Sequence, residues 1–162
     1  MTQPTNFSIT PVRTSDDLAA AIALFRLYAA SLDVDLAYQN FDAELAAMPG
    51  KYATPAGELL LARRTDTTPI GCVALRPMDT AGCCEMKRLY VAPAGRGLGL
   101  GTALVEALAQ RAAALGYREM CLDTLPSMTE AIALYRKLGF EPISPYYATP
   151  VAGTHFLRRS LL

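Results

Sequence analysis

The segment Arg96-Gly97-Leu98-Gly99-Leu100-Gly101 restricts the chain to a small set of folds because of what stands on either side of it. Before it, Met86-Lys87-Arg88-Leu89-Tyr90-Val91 reads as a strand. After it, Thr102-Ala103-Leu104-Val105 opens a helical pattern that continues to Leu115. Glycine at every second position of the turn lets the main chain take positive φ and approach a ligand with no side chain in the way. Amides at a helix N-terminus lack intrahelical partners, and helix polarity adds roughly 0.3–1 kcal/mol for a negative group there. The expected occupant carries phosphate.

Spacing separates three phosphate-binding designs. A Walker loop requires Lys-Ser/Thr after its last glycine, whereas Thr102-Ala103 follows Gly101. A dinucleotide fingerprint requires G-x-G-x-x-G directly after a strand. Gly97 and Gly99 supply its first two glycines, but Thr102 stands at the third position and four residues separate Val91 from Arg96. Asp123, at the end of the next strand-like run, is the one feature favouring that reading. The third design, Arg/Gln-x-x-Gly-x-Gly/Ala, is matched by Arg96, Gly99 and Gly101, and it resembles the acyl-CoA-binding loop of the GNAT superfamily of N-acyltransferases.

A second motif extends the resemblance. Ala131-Ile132-Ala133-Leu134-Tyr135-Arg136-Lys137-Leu138-Gly139-Phe140 is similar to the GNAT signature A-x-x-L-Y-x-x-x-G-F, and Lys87-Arg88-Leu89-Tyr90-Val91 resembles the family's fourth strand. The match runs from about Glu85 to Phe140. It departs from the family at Met128, where many members carry Asn. The resemblance implies a mixed α/β fold: a single GNAT domain over residues 1–162, with a central, mostly antiparallel sheet, a splayed parallel strand pair and about four flanking helices. It also implies acetyl-CoA as cosubstrate and an amine as acceptor. Cofactor contacts are then expected from the main chain of Leu89, Tyr90 and Val91 and from the loop Arg96, Gly97, Leu98, Gly99, Leu100, Gly101 and Thr102.

Composition agrees with a small enzyme. The chain has 162 residues, 52% of them hydrophobic, enough for a sizeable core. Fifteen basic and fifteen acidic side chains leave no net charge and no basic stripe, which argues against a nucleic-acid partner. Four cysteines without a C-x-x-C pair, beside one histidine, predict buried free thiols in a reducing cytoplasm and no metal site. No signal-like N-terminus or membrane-length apolar run is evident. The expected assembly is a monomer or homodimer.

Along the chain, Phe7 to Arg13 reads as a first strand in which Pro11 favours an edge or a bulge. Thr14 with Asp17 caps an amphipathic helix marked by Leu18, Ile22, Phe25 and Leu32. A shorter helix runs from Phe41 to Met48. Strands follow at Glu58–Arg64, Ile70–Arg76 and Cys83–Val91, an antiparallel meander. After the turn come a helix ending at Gly116, a strand from Arg118 to Thr124, and a helix opened by the capping box Ser127-Met128-Thr129-Glu130. The last strands are Phe140–Ile143 and Thr154–Arg159. The Pro142-to-Gly153 segment is expected to lie over the site.

Transfer of an acyl group to an amine needs a base, since a free amine with pKa near 10.4 is protonated at pH 7, and an acid for the departing thiolate. By resemblance Tyr135 is the acid. Glu85, 96 − 85 = 11 positions before Arg96, matches the spacing of the glutamate base in the histone-acetylating branch of the family, with ordered water as the alternative. Asp123 and His155 are weaker candidates. Tyr28, Leu32, Tyr38 and Phe41, or Arg76, Arg88, Tyr146 and Tyr147, are candidate acceptor contacts. A non-catalytic acyl-CoA sensor shares every feature except the need for a tyrosine in register.

Overall fold

An apolar residue at every position of Leu59-Leu60-Leu61-Ala62 requires a strand covered on both faces. The computed structural model, which describes residues 6–162, sets that strand inside a seven-stranded sheet. The strands are β1 (Phe7–Pro11), β2 (Glu58–Arg64), β3 (Pro69–Pro77), β4 (Cys83–Val91), β5 (Glu119–Thr124), β6 (Glu141–Pro142) and β7 (His155–Ser160). Their spatial order is β1-β2-β3-β4-β5-β7-β6, and only β4 and β5 run parallel. The helices are α1 (Ser15–Ser31), α2 (Phe41–Ala47), α3 (Leu100–Ala114) and α4 (Thr129–Lys137). This is the expected mixed α/β arrangement, with β1 and its Pro11 at the edge.

Strand periodicity divides the core in two. Leu60 and Ala62 of β2 join Leu104, Val105, Leu108 and Ala112 of α3 on one face, while Leu59 and Leu61 join Leu24, Phe25, Phe41 and Tyr52 on the other. Each fully buried Leu or Val stabilises the fold by about 1.5–3 kcal/mol. Thr14 caps α1 by accepting from the Asp17 amide, and Gly116, at φ +96, follows the end of α3. Glu58 is wholly buried among these apolar neighbours. Burial alone would raise its pKa, but bonds from Arg13, the Leu59 amide and Arg111 hold it below the usual carboxylate value.

The parallel pair is short, and that shortness positions the site. β4 and β5 are matched only at Cys83–Glu119, Cys84–Met120 and Glu85–Cys121. Beyond Glu85, β4 carries a bulge: its register against β3 jumps from Lys87–Ala74 to Tyr90–Cys72, so Arg88 and Leu89 stand opposite Val73 alone. Arg88 sits at φ +61, an unusual value for a residue with a side chain. The two strands part, and a gap opens at the sheet centre.

Three local expectations differ from what is observed. The residues Ser127 to Glu130 do not form a capping box: Met128 is the N-cap of α4 without a side-chain bond, and the Ser127 hydroxyl donates instead to Asp33. Gly101 is not among the positive-φ glycines; it lies inside α3, where an added Cβ would come within 3.3 Å of Leu134 Cδ2. Its smallness serves helix packing. The strand expected at Phe140–Ile143 shrinks to two residues, because Gly139 at φ +92 redirects the chain immediately before it. All four cysteines are free and buried, in accord with their apolar setting.

Candidate active site

Where β4 and β5 part, a cleft of about 850 Å³ opens. One wall is Leu89, Tyr90 and Val91; the other is Ser127 to Ala131 and Leu134. The Ala92 amide donates to Ile70 O at 2.9 Å, so alternation along the strand turns the Val91 amide away from β3 and toward the gap. Arg96, Gly97, Gly99, Leu100, Gly101 and Thr102 close one end of the cleft. Leu98 does not line it; that side chain is turned outward and 36% exposed.

The turn has the properties of an anion seat. Gly97 and Gly99 take φ +78 and +72, and a Cβ on either would meet nothing within 4 Å, so glycine is needed there for backbone shape and access rather than for packing. The first α3 bond runs from the Ala103 amide to Gly99 O, leaving the amides of Leu100, Gly101 and Thr102 without helical acceptors. No acidic residue occupies the first turn of α3. A diphosphate fits such a terminus, with exposed Arg96 beside it.

Tyr28, Leu89 and Met128 line both this cleft and a second cavity that contains Tyr38, Gln39, Lys87, Arg88, Asp123 and Tyr135. Tyr135 comes from the inner face of α4 and packs edge-to-face on Phe140, centroids 5.7 Å apart. It is 6% exposed. Burial pushes its phenol well above the ordinary value, and neighbouring Tyr28 and Asp123 add to the effect. The Tyr28 phenol is pushed up to about 12 by burial, against the opposing pull of Arg88. Met128, at the position of the family's Asn, stands at the junction of the two spaces.

Glu85 lies outside both linings. It is wholly enclosed and both oxygens are engaged: Oε1 accepts from Arg76 at 2.7–2.8 Å and Oε2 from the Tyr146 hydroxyl at 2.5 Å. Asp123, where β5 has already left β4, does reach the cavity. Its Oδ2 accepts from Tyr147 at 2.5 Å and its Oδ1 faces Lys87 Nζ at 3.3 Å. The segment before β7 therefore lies over the site as expected, pinned by two tyrosines that also pack on Phe156. Burial and these carboxylates raise both tyrosine pKa values, so they remain donors. His155 lines neither space.

The bulge aims Arg88 at the N-terminal wall, where it makes a bidentate pair with Glu44 of α2 at 3.0 and 3.1 Å, donates to Gln39 at 2.7 Å and stacks over Phe41 at 5.1 Å. Tyr28 and Tyr38 thus belong to the site wall, together with Gln39 and Lys87, which the sequence did not single out, while Phe41 and Glu44 line neither space and act by holding Arg88. Adjacent Lys87 and Arg88 were the available signal, since neighbouring strand residues face opposite ways and one had to turn inward.

Comparison with known proteins agrees with this geometry. Residues 14–140 match the Acetyltransferase (GNAT) family. An uncharacterized N-acetyltransferase of Schizosaccharomyces pombe is 43% identical over 158 residues, spanning 98% of this chain and 97% of that protein. An IAA acetyltransferase of Azospirillum brasilense is 37% identical over 103 residues, 62% of this chain and 67% of that one. A crystal structure of a GNAT-family acetyltransferase from Staphylococcus aureus superposes with a TM-score of 0.77 at 17% identity, over 96% of this chain and 99% of that one. Among the described residues, no helix is long and apolar enough to cross a membrane. With the family match covering residues 14–140 and a relative named as an N-acetyltransferase spanning nearly the whole length, the chain is an acyltransferase of the GNAT family.

Proposed function

We propose that the protein moves an acetyl group from acetyl-CoA to a primary amine within one domain spanning residues 1–162. The observation that carries this reading is the junction at Tyr28, Leu89 and Met128, where a cleft suited to a phosphate-bearing chain meets a small cavity containing Tyr135. Main-chain groups of Leu89, Tyr90 and Val91 hold the extended arm of the cosubstrate, and the Arg96–Thr102 turn holds its diphosphate.

When bound, acetyl-CoA supplies a thioester carbonyl that accepts the amine nitrogen as the carbon–sulfur bond breaks. The chain's part is to orient the amine and handle two protons. Asp123, held by Lys87 and Tyr147, faces the space where an amine enters and receives its proton, directly or through water. Tyr135, kept protonated by burial, gives its proton to the departing thiolate. Glu85 anchors Arg76 and Tyr146 rather than contacting the amine. Calorimetric titration tests the cosubstrate: acetyl-CoA should bind in the micromolar range and NADH should not bind. Comparable NADH affinity would replace this reading with the dinucleotide one.

A further inference from the structure

Three buried or half-buried cations meet three carboxylates around the acceptor cavity, and two of the pairs are closed. Arg88 is satisfied by Glu44 and Gln39 at 2.7–3.1 Å, and Arg76 by Glu85 at 2.7–2.8 Å. Lys87 is different. Its side chain is 8% exposed and lines the cavity, and its ammonium finds Asp123 at 3.3 Å, Gln39 at 3.5 Å and Glu85 at 4.0 Å. Charge-assisted N–H···O bonds normally span about 2.7–2.9 Å. The Gln39 oxygen is shared with Arg88 and the near Glu85 oxygen with Arg76, so every partner of Lys87 is distant or shared and its ammonium is held loosely at the cavity wall.

The nearest of these partners, Asp123, is the carboxylate to which the acceptor amine is drawn in the proposed function, and the present inference rests on that reading. An ammonium that occupies Asp123, or gives it a proton, takes from Lys87 the nearer of its two carboxylates and leaves only Glu85, 4.0 Å away and shared with Arg76. A buried cation so weakly paired is costly. An acceptor with a lone positive charge leaves this cost in place, whereas an acceptor that also carries an anion cancels it. We infer that Lys87 is an anion-recognising residue and that the natural acceptor is a zwitterion: an amino acid or related amino-carboxylate, with its amine at Asp123 and its carboxylate at Lys87.

The test compares α- and β-amino acids with their own carboxamides and decarboxylated amines as acetyl acceptors. Acids should exceed their neutral counterparts by at least about tenfold in kcat/KM. In Lys87→Met, kcat/KM for the acids should fall about 10–100-fold further than for the carboxamides, the excess arising chiefly through KM, with acetyl-CoA affinity unaltered. A second measurement is independent of turnover: in the presence of CoA, N-acetylamino acids should bind wild type, while N-acetylamino-acid amides should not. Preference for carboxamides or plain amines, or equal loss for both classes in Lys87→Met, would overturn the inference. Absence of amine acetylation with every acceptor would instead sink the acetyl-transfer reading, and N-acetylamino-acid binding would still decide the role of Lys87.

Discussion

Tyr135→Phe should lower both kcat and kcat/KM by roughly 10²–10⁴-fold, with acetyl-CoA affinity and melting temperature little changed. The substitution keeps the ring, and with it the edge-to-face contact on Phe140 and the packing of α4 against the sheet. It removes only the hydroxyl. Loss in both constants together identifies an interaction made mainly in the transition state, as protonation of a leaving thiolate requires. Steady-state kinetics beside a thermal melt would check this. Wild-type rates from a folded Phe variant would reduce Tyr135 to a packing residue.

Gly99→Asp should weaken acetyl-CoA binding by at least about 10²-fold while the protein still folds. Gly99 precedes α3 at φ +72, and its absent side chain would extend into open space. Among residues with a Cβ, Asp tolerates that backbone region better than most. The cost therefore falls on the ligand, because a carboxylate would stand where the free amides of Leu100, Gly101 and Thr102 await a diphosphate. Gly101 is a poorer probe, since a side chain there presses on Leu134 and disturbs helix packing as well. Calorimetry with a parallel melt separates the two effects. Unchanged affinity in Gly99→Asp would move the diphosphate seat elsewhere.

How much of this was legible in the chain depends on the range of the interactions involved. β2 and β4 were readable with their observed ends because apolar runs and turn residues act locally. Thr14 was readable as a cap for the same reason, since its partner is three residues away. Ser127 was misread: its hydroxyl answers to Asp33, 94 positions distant, and no local motif reports such a contact. Glu85 shows the same limit at the site. Its spacing from Arg96 suggested a catalytic base, but Arg76 on the neighbouring strand and Tyr146, 61 residues on, engage both its oxygens. The positive φ of Arg88 leaves no sequence signal either, because it belongs to a bulge set by the register of β4 against β3.

Simultaneous measurement of free thiol and acetylated amine tests the central claim most directly. Purified protein given acetyl-CoA and a primary amine, with amino acids included among the acceptors, should release one CoA thiol for each N-acetyl product formed. Thiol release should stop when the amine is omitted. Tight acetyl-CoA binding without amine-dependent thiol release, across the whole acceptor series, would contradict the account and identify the cleft as that of an acyl-CoA sensor.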